Sequence, residues 1–236
     1  MPTAAMIVIG DEILSGRTQD VNVQVLARAL GEKGIRLAEV RMIPDDADTI
    51  VGTVNALRAG HDHVFTSGGI GPTHDDITAD CIAAAFGVGI DVREDARAIL
   101  ATNYADPERD LNAARLRMAR IPDGATLIDN PVSKAPGFTL GNVHVMAGVP
   151  KIFAVMVESV LPGLTGGQPM LSDDVLIDRG EGDLAAPLAE IDGRYPTVSI
   201  GSYPRVHEGR FIVNIVARSE DAEALAAAMA ELRGLA

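Results

Sequence analysis

Apolar runs alternate with amphipathic stretches through the first part of the chain. Residues 6–10 form a continuous apolar run, which is typical of a strand buried on both faces of a parallel sheet. Apolar residues then recur at helical spacing as far as Gly31. The same order of strand and helix returns over residues 35–60 and again over residues 63–87. This repetition predicts right-handed βαβ units, and hence a three-layer α/β/α sandwich with a mainly parallel sheet.

The pattern is less regular after Gly87. A short strand is predicted at residues 88–92, followed by helical stretches at residues 95–104 and 111–120. We expect this section to cover a functional site. Three short strands near residues 126–128, 138–140 and 143–146, and an apolar helix ending by Pro162, complete the first domain.

Residues 164–170 are rich in Gly and Pro and are the predicted linker. Beyond them the order is strand, helix, two strands and a final Ala-rich helix, which predicts a small α+β domain. One strand of this domain is predicted to end at Ser202, with Tyr203-Pro204-Arg205 just beyond it. The sequence therefore divides into a domain of residues 1–163 and a smaller domain of residues 171–236.

Composition excludes one class of partner. The 236 residues are 47% hydrophobic, which is enough for a packed core, and carry a formal net charge of −13. Lys and Arg are too few and too scattered to neutralise a run of phosphates, and there is no Trp to stack on bases. We therefore expect no binding to nucleic acid.

The compartment is predicted from what the sequence lacks. The first residues have no basic segment followed by a long apolar run, so they indicate a strand and not a signal peptide. No segment reaches the length needed to cross a membrane, and we expect no membrane association. With Cys81 as the single cysteine, a disulfide within the chain is impossible, which favours the cytoplasm.

The stretch TSGGIGPTHDDIT at residues 66–78 joins an apolar strand to an amphipathic helix through glycines. In open α/β sheets, ligands bind at the carboxyl ends of the strands, where glycines let backbone N–H groups approach an anion. A phosphorylated ligand fits such a turn. The alternative is that the glycines make only a tight turn and that Asp75 or Asp76 only caps the helix.

Acidic residues follow the three predicted strands at the same edge of the sheet. Asp11 and Glu12 follow the first strand, Asp45 and Asp46 the second, and Asp75 and Asp76 the third. Carboxylate and phosphate oxygens suit Mg²⁺ or a similar divalent cation. We predict that Asp11, Asp45 and Asp76 bind this metal. Capping of the next helix is the alternative for Asp45 and Asp46.

Several separated motifs carry a family resemblance: GDE at residues 10–12, GGIGPTHDDIT at residues 68–78 and APGF at residues 135–138. With them the chain resembles the competence/damage-inducible protein A family, whose N-terminal domain is similar to the MoaB/Mog molybdopterin-binding fold. The resemblance implies one of two activities: molybdopterin binding with adenylylation, or metal-dependent ADP-ribose pyrophosphatase activity. FAD synthase carries a similar domain. The family's nicotinamide mononucleotide deamidase module is not expected here.

The resemblance also implies residue roles. Two aspartates that are functional in the Mog-type enzymes match Asp45 and Asp76, which we predict to be catalytic. The residues that match the family's ligand-binding segment are Gly68, Gly69, Gly71, Pro72, Thr73 and Thr78. By their predicted position at the same rim, further ligand-binding candidates are Gly10, Asp11, Glu12, Ser67, Asp75, Pro136, Gly137 and Gly148.

One segment departs from the family. Residues 147–152 read AGVPKI, where the family usually has PGVPSE, so a Ser and a Glu are missing. Gly148 and Val149 still offer backbone donors near a predicted helix N-terminus, where anions are favoured.

The sequence predicts a protein that binds a phosphorylated nucleotide or pterin with Mg²⁺ and hydrolyses a pyrophosphate bond. The alternatives are adenylyl transfer to molybdopterin, or ligand binding without turnover. Relatives are usually dimers or trimers, so the resemblance implies a homo-oligomer.

Overall fold

A computed structural model describes residues 1–207 and 210–236 of the chain. Their contacts divide the chain into two units, residues 1–167 and residues 168–236. Each unit has its own buried core.

The first unit is built on a six-stranded sheet and a separate two-stranded one. Its strands are β1 Thr3–Ile9, β2 Arg36–Ile43, β3 His63–Ser67, β4 Ile90–Val92, β5 Arg120–Pro122, β6 Thr126–Ile128, β7 Gly137–Leu140 and β8 Val143–Met146. The large sheet has the order β2-β1-β3-β8-β7-β6. The pairings among β2, β1, β3 and β8 are parallel, whereas β7 and β6 add antiparallel hairpin strands.

The register of the parallel strands aligns their carboxyl ends. Ile9 of β1 pairs with Ile43 of β2, and Val8 pairs with Ser67, the last residue of β3. Ser67 in turn pairs with Met146, the last residue of β8. The loops after four neighbouring strands therefore leave the sheet at one edge, as the sequence predicted for the first three of them.

Helices cover both faces of the sheet. They are α1 Asp11–Leu14, α2 Asn22–Glu32, α3 Ala47–Gly60, α4 Thr78–Phe86, α5 Glu94–Ala101, α6 Pro107–Asp110, α7 Ala113–Leu116 and α8 Pro150–Val160, with 3-10 turns at Arg117–Ala119 and Leu161–Gly163.

Strand β1 shows why there are three layers. Its alternate residues Ala5, Ile7 and Ile9 pack with α3 and α4, whereas Ala4, Met6 and Val8 pack with α2 and α8. All six side chains are buried, and burial of each large apolar side chain stabilises the fold by about 1.5–3 kcal/mol. The predicted sandwich with a mostly parallel sheet is confirmed.

The irregular section was predicted less well. The helix expected at residues 95–104 ends at Ala101, and the one expected at residues 111–120 is wrong, since it is a single turn, α7, followed by the 3-10 turn Arg117–Ala119. Asn112 caps α7 by accepting from the N–H of Arg115, and Arg120 already pairs with Val92 in the small sheet. Pairing with β4 thus overrides local helix propensity.

The second unit contains β9 Leu171–Ile177, α9 Glu181–Arg194, β10 Ser199–His207, β11 Arg210–Ser219 and α10 Ala222–Arg233. The strands form an antiparallel sheet in the order β10-β11-β9. Ile177, Ile215 and Met229 belong to its buried core. The predicted small α+β domain is confirmed, but the strand expected to end at Ser202 continues to His207. Tyr203, Pro204 and Arg205 therefore lie within β10, an edge strand where proline is tolerated.

None of the described helices combines the length and the hydropathy that a membrane crossing requires.

Candidate functional site

The loops at the carboxyl edge of the large sheet are joined backbone to backbone. The N–H of Gly10 donates to the carbonyl of Ile43 at 3.1 Å, and the N–H of Gly68 donates to the carbonyl of Met146 at 3.2 Å. The loops after β1 and β2 are thereby tied to each other, and the turn after β3 is tied to the end of β8.

The turn after β3 requires glycine. Gly68 and Gly69 have φ of 108° and 69°, in the left-handed region that side chains rarely adopt. A Cβ on Gly68 would overlap the carbonyl oxygen of Ile9, and a Cβ on Gly69 would overlap the hydroxyl of Thr78. The peptide groups of this turn consequently pack directly against the end of β1.

Thr78 donates two hydrogen bonds to carbonyl groups of the turn. Its hydroxyl donates to the carbonyl of Gly68 at 3.0 Å, and its N–H donates to the carbonyl of Gly69 at 2.9 Å. These two carbonyls are thus held by Thr78, which is completely buried.

Several backbone N–H groups of the turn have no hydrogen-bond acceptor among the described residues. Within residues 1–207 and 210–236, no protein acceptor bonds the N–H groups of Gly69, Ile70 or Gly71. The same is true of Gly148 and Val149, which follow β8 and begin α8. All five residues line one pocket of about 660 Å³. Because an unpaired amide N–H favours an anionic partner, these two banks of donors make the pocket a candidate anion site.

Most of the predicted site residues meet at this pocket. Its lining includes Gly10, Glu12, Asp45, Gly68, Gly69, Gly71, Pro72, Asp75, Asp76 and Gly148. It also includes residues outside the set of predicted site residues, among them Thr18, Met118, Asn130, Ser133 and Ile152.

Six predicted residues do not line this pocket. Asp11 donates its N–H to Oδ2 of Asp45 at 3.0 Å. The N–H and the hydroxyl of Thr73 donate to Oδ2 of Asp76 at 2.8 and 2.6 Å. Ser67 and Thr78 are buried beneath the turn.

The remaining two belong to the segment before β8. Pro136 lines a small adjoining cavity next to Asp76. A Cβ on Gly137 would overlap the carbonyl of Val145, so Gly137 allows β7 to approach β8.

The pKa of Asp45, which lines the pocket, is raised above the ordinary aspartate value. Partial burial raises its pKa, and the negative charges of Asp11, Glu12 and Asp75 raise it further, against the opposing effect of the hydrogen bond from the Asp11 N–H. A carboxyl group with a raised pKa is a stronger base than an ordinary aspartate.

Arg117 supports Asp76 from the irregular section. Its Nη2 donates to the backbone carbonyl of Asp76 at 2.9 Å, and its buried Nε has no partner within the part of the chain described. Sequence reasoning missed Arg117; the one available signal was its place in the section expected to cover the site.

The acidic residues of the rim do not form a complete metal site. Among the residues described, no three His, Cys, Asp or Glu side chains are arranged to hold a metal ion by themselves. Asp45 and Asp76 line the pocket, whereas Asp11 does not. Joint metal binding by Asp11, Asp45 and Asp76 stays a prediction.

The chain is an α/β protein with a glycine-lined pocket at the carboxyl edge of its sheet. Residues 5–166 match the family described as "Probable molybdopterin binding domain". Residues 169–236 match "FAD synthase, middle domain". The chain belongs to the first of these families, and it is similar to CinA-like proteins.

Individual relatives support this family assignment. A "CinA-like protein" of Geobacter metallireducens is 32% identical over 94% of this chain and 56% of its own length. A "Probable FAD synthase" of Caenorhabditis briggsae is 30% identical over 99% of this chain and 49% of its own length. The chain thus spans about half the length of these curated relatives. A crystal structure of "the protein CinA with unknown function" from Thermoplasma acidophilum, 33% identical, matches with a TM-score of 0.64 over 69% of this chain and 97% of that one.

Substitution of Gly68 by alanine tests the glycine turn. We expect Gly68→Ala to lower the free energy of unfolding by about 1–3 kcal/mol, because it combines an unfavourable φ with a backbone overlap. Gly52→Ala is the matched control: Gly52 lies inside α3, and no atom lies within 4 Å of the position that an alanine Cβ would take, so we expect a gain of about 0.5–1 kcal/mol. Chemical denaturation measures both; equal effects would contradict the account.

Asp45→Asn tests the raised pKa. The folded state binds a proton at Asp45 more readily than the unfolded state, so this group destabilises the fold as pH rises through the two pKa values. The variant is expected to melt at a higher temperature than wild type at pH 7, and the difference is expected to vanish below the ordinary aspartate pKa.

Asp46→Ala is expected to change the stability of the protein at pH 7 in the opposite direction. Hydrogen bonds from the Thr49 side chain and backbone lower the pKa of Asp46, which caps α3, so its loss destabilises the protein at pH 7. Thermal unfolding at several pH values distinguishes the two. A lower melting temperature for Asp45→Asn than for wild type at pH 7 would show that the ionised Asp45 carboxylate does not destabilise the fold.

Proposed function

We propose that the pocket binds a ligand containing a pyrophosphate, with Mg²⁺, and that the protein hydrolyses the bond between the two phosphates. The observation that carries the proposal is the convergence of two banks of unpaired amides with a carboxylate of raised pKa on one pocket.

The amides account for phosphate binding. Gly69, Ile70 and Gly71 lie on one side, and Gly148 and Val149 lie on the other, at the N-terminus of α8. An anion there is favoured by the donors and by the positive end of the helix dipole. Two separate banks suit a ligand with two adjacent phosphates.

The carboxylates account for the cation. Glu12, Asp45, Asp75 and Asp76 share the pocket and would repel a bare phosphate. Mg²⁺ in nucleotide sites typically uses one or two protein carboxylates and completes its shell with phosphate oxygens and water, so three converging side chains are not required. Asp76 and one neighbour fit that role, and the bound ion would neutralise charge on the phosphates.

Asp45 is proposed as the general base. It removes a proton from a water molecule whose oxygen forms a bond to one phosphorus, while the bridging oxygen leaves on the other phosphate with the bonding electrons. The raised pKa suits this role. Asp76, held by Thr73 and Arg117, keeps the phosphate and cation in position.

ADP-ribose and FAD are the proposed substrate candidates, since both join a nucleotide to a second group through a pyrophosphate. The FAD synthase relatives and the match of residues 169–236 support the inclusion of FAD. Ile152 lines the pocket where the family usually has an acid, and it offers an apolar wall for an aromatic ring.

Adenylyl transfer to molybdopterin is the second candidate, favoured by the description of the matching family. It differs in requiring ATP. Binding without turnover is the third, favoured by the altered residues 147–152.

We further propose that the protein acts in the cytoplasm as a dimer or trimer, as the resemblance implies. Light scattering on the purified protein tests the subunit number, and a monomeric mass at assay concentration would contradict it.

A substrate panel tests the reaction. Wild-type protein is incubated with ADP-ribose, FAD, or molybdopterin plus ATP, each with Mg²⁺ or with chelator. We expect release of AMP from ADP-ribose or FAD only with Mg²⁺, and a loss of about 10²-fold or more in Asp45→Asn, because general bases typically contribute that much.

The panel includes Asp76→Asn, which is also expected to lose activity, and Asp48→Asn as the control. Asp48 is an exposed carboxylate of α3 outside this pocket, so wild-type rates are expected. Product formed only with ATP would favour adenylyl transfer. Equal rates in wild type and Asp45→Asn would remove Asp45 from the mechanism.

The pH profile provides an independent check. Because a base must be deprotonated, kcat/KM is expected to fall as pH drops through the pKa of Asp45, at a pH above the ordinary aspartate range. The residual activity of Asp45→Asn is expected to lack this limb. An unchanged limb in the variant would assign it to another group.

A further inference from the structure

Asn22 is a buried residue next to the pocket, and its side chain has no role in the reaction proposed above. It is the first residue of α2, and only 3% of it is exposed. Its Nδ2 donates to the hydroxyl oxygen of Ser67 at 2.8 Å and to the carbonyl of Gly148 at 2.8 Å.

One acceptor, Gly148, belongs to the second bank of amide donors, and the other, Ser67, comes directly before the turn that carries the first bank. Ser67 is the last residue of β3 and precedes the turn at Gly68, whereas Gly148 follows β8. The banks also touch each other: a Cβ on Gly148 would lie 3.2 Å from the Cα of Gly68. Asn22 is therefore a single side chain bonded to both sides of the anion site.

The bond to Gly148 sets the direction of a donor. The carbonyl of Gly148 and the N–H of Val149 belong to one planar trans peptide and point in opposite directions. Since the carbonyl points to Asn22 beneath the pocket, the Val149 N–H points away from Asn22. Val149 itself lines the pocket.

Packing alone does not account for an asparagine here. Its Oδ1 is buried and has no partner within the described part of the chain, which is unfavourable. An apolar side chain of similar size would avoid that loss. What asparagine adds is the pair of bonds to Ser67 and Gly148.

We propose that Asn22 is a positioning residue: it holds the β3 turn and the β8 loop at the spacing that lets both sets of amides contact one ligand's adjacent phosphates. This inference rests on the proposed function only in taking the ligand to carry a pyrophosphate; it does not require hydrolysis.

The test measures binding and turnover separately. ADP and inorganic pyrophosphate, each with Mg²⁺, are titrated into wild type and variants by calorimetry, and KM and kcat are measured on the hydrolysed substrate. For Asn22→Ala we expect Kd for ADP to rise at least tenfold. KM is expected to rise by a similar factor with a smaller change in kcat, because the amides bind the phosphates before and during reaction.

Asn142→Ala is the matched control. Its Nδ2 donates to the carbonyls of Arg58 and His61 at 3.0 and 2.9 Å, in the turn between β7 and β8 and away from the pocket. It loses two side-chain hydrogen bonds, as Asn22→Ala does, so a comparable fall in melting temperature is expected with an unchanged Kd.

Asn22→Leu guards against a failure of Asn22→Ala to fold. Leucine is similar in size to asparagine and removes the unpaired Oδ1, but it cannot donate to Ser67 or Gly148. We expect this variant to fold and to bind ADP at least tenfold more weakly.

The outcomes separate the two proposals. If wild type binds ADP but hydrolyses no substrate, the proposed reaction is wrong. Weaker ADP binding by an Asn22 variant would then still support the positioning role. Wild type that hydrolyses with unchanged KM and Kd in folded Asn22 variants overturns the positioning role alone. Equal weakening in Asn142→Ala also overturns it, and no ADP or pyrophosphate binding by wild type removes both.

Discussion

The site depends on backbone crowding where β1, β3 and β8 end. Gly68 leaves no room for a side chain beside the carbonyl of Ile9, and Gly148 packs against Gly68 in turn. Because peptide groups meet directly, the loops after β3 and β8, with their unpaired N–H groups, line one pocket. The in-register ends of the parallel strands put these loops at the same edge.

The same edge concentrates negative charge. The carboxylate of Asp45 accepts from the N–H of Asp11, and that of Asp76 accepts from the N–H and hydroxyl of Thr73, so neither carboxylate can turn away without breaking hydrogen bonds. The pocket therefore combines donors that attract phosphate with acids that repel it. A divalent cation between phosphate and carboxylate would resolve this conflict, which is why the proposed chemistry couples ligand binding to Mg²⁺.

Much of this arrangement was predictable from the sequence. Strict apolar runs and helical spacing identified the βαβ units, and their order placed residues after the first three strands at one rim. The glycines and acids of residues 68–76 line the pocket, and position after a strand, not side-chain contact, decides that.

Other parts depended on tertiary contacts. Whether Ser67, Thr73 and Thr78 face the ligand or support the turn depends on side-chain direction, which spacing does not specify. Asn22 and Arg117 act through backbone carbonyls 126 and 41 residues away, and no local pattern marks such pairs. The prediction of a helix over residues 111–120 was wrong because β5 pairs with β4.

The most direct test is a crystal structure of the protein with ADP and Mg²⁺. We expect the two phosphates to contact the amides of residues 69–71 and of Gly148 or Val149, with the cation between them and Asp76. Phosphates bound elsewhere, or a cation bound without Asp76, would contradict this proposal.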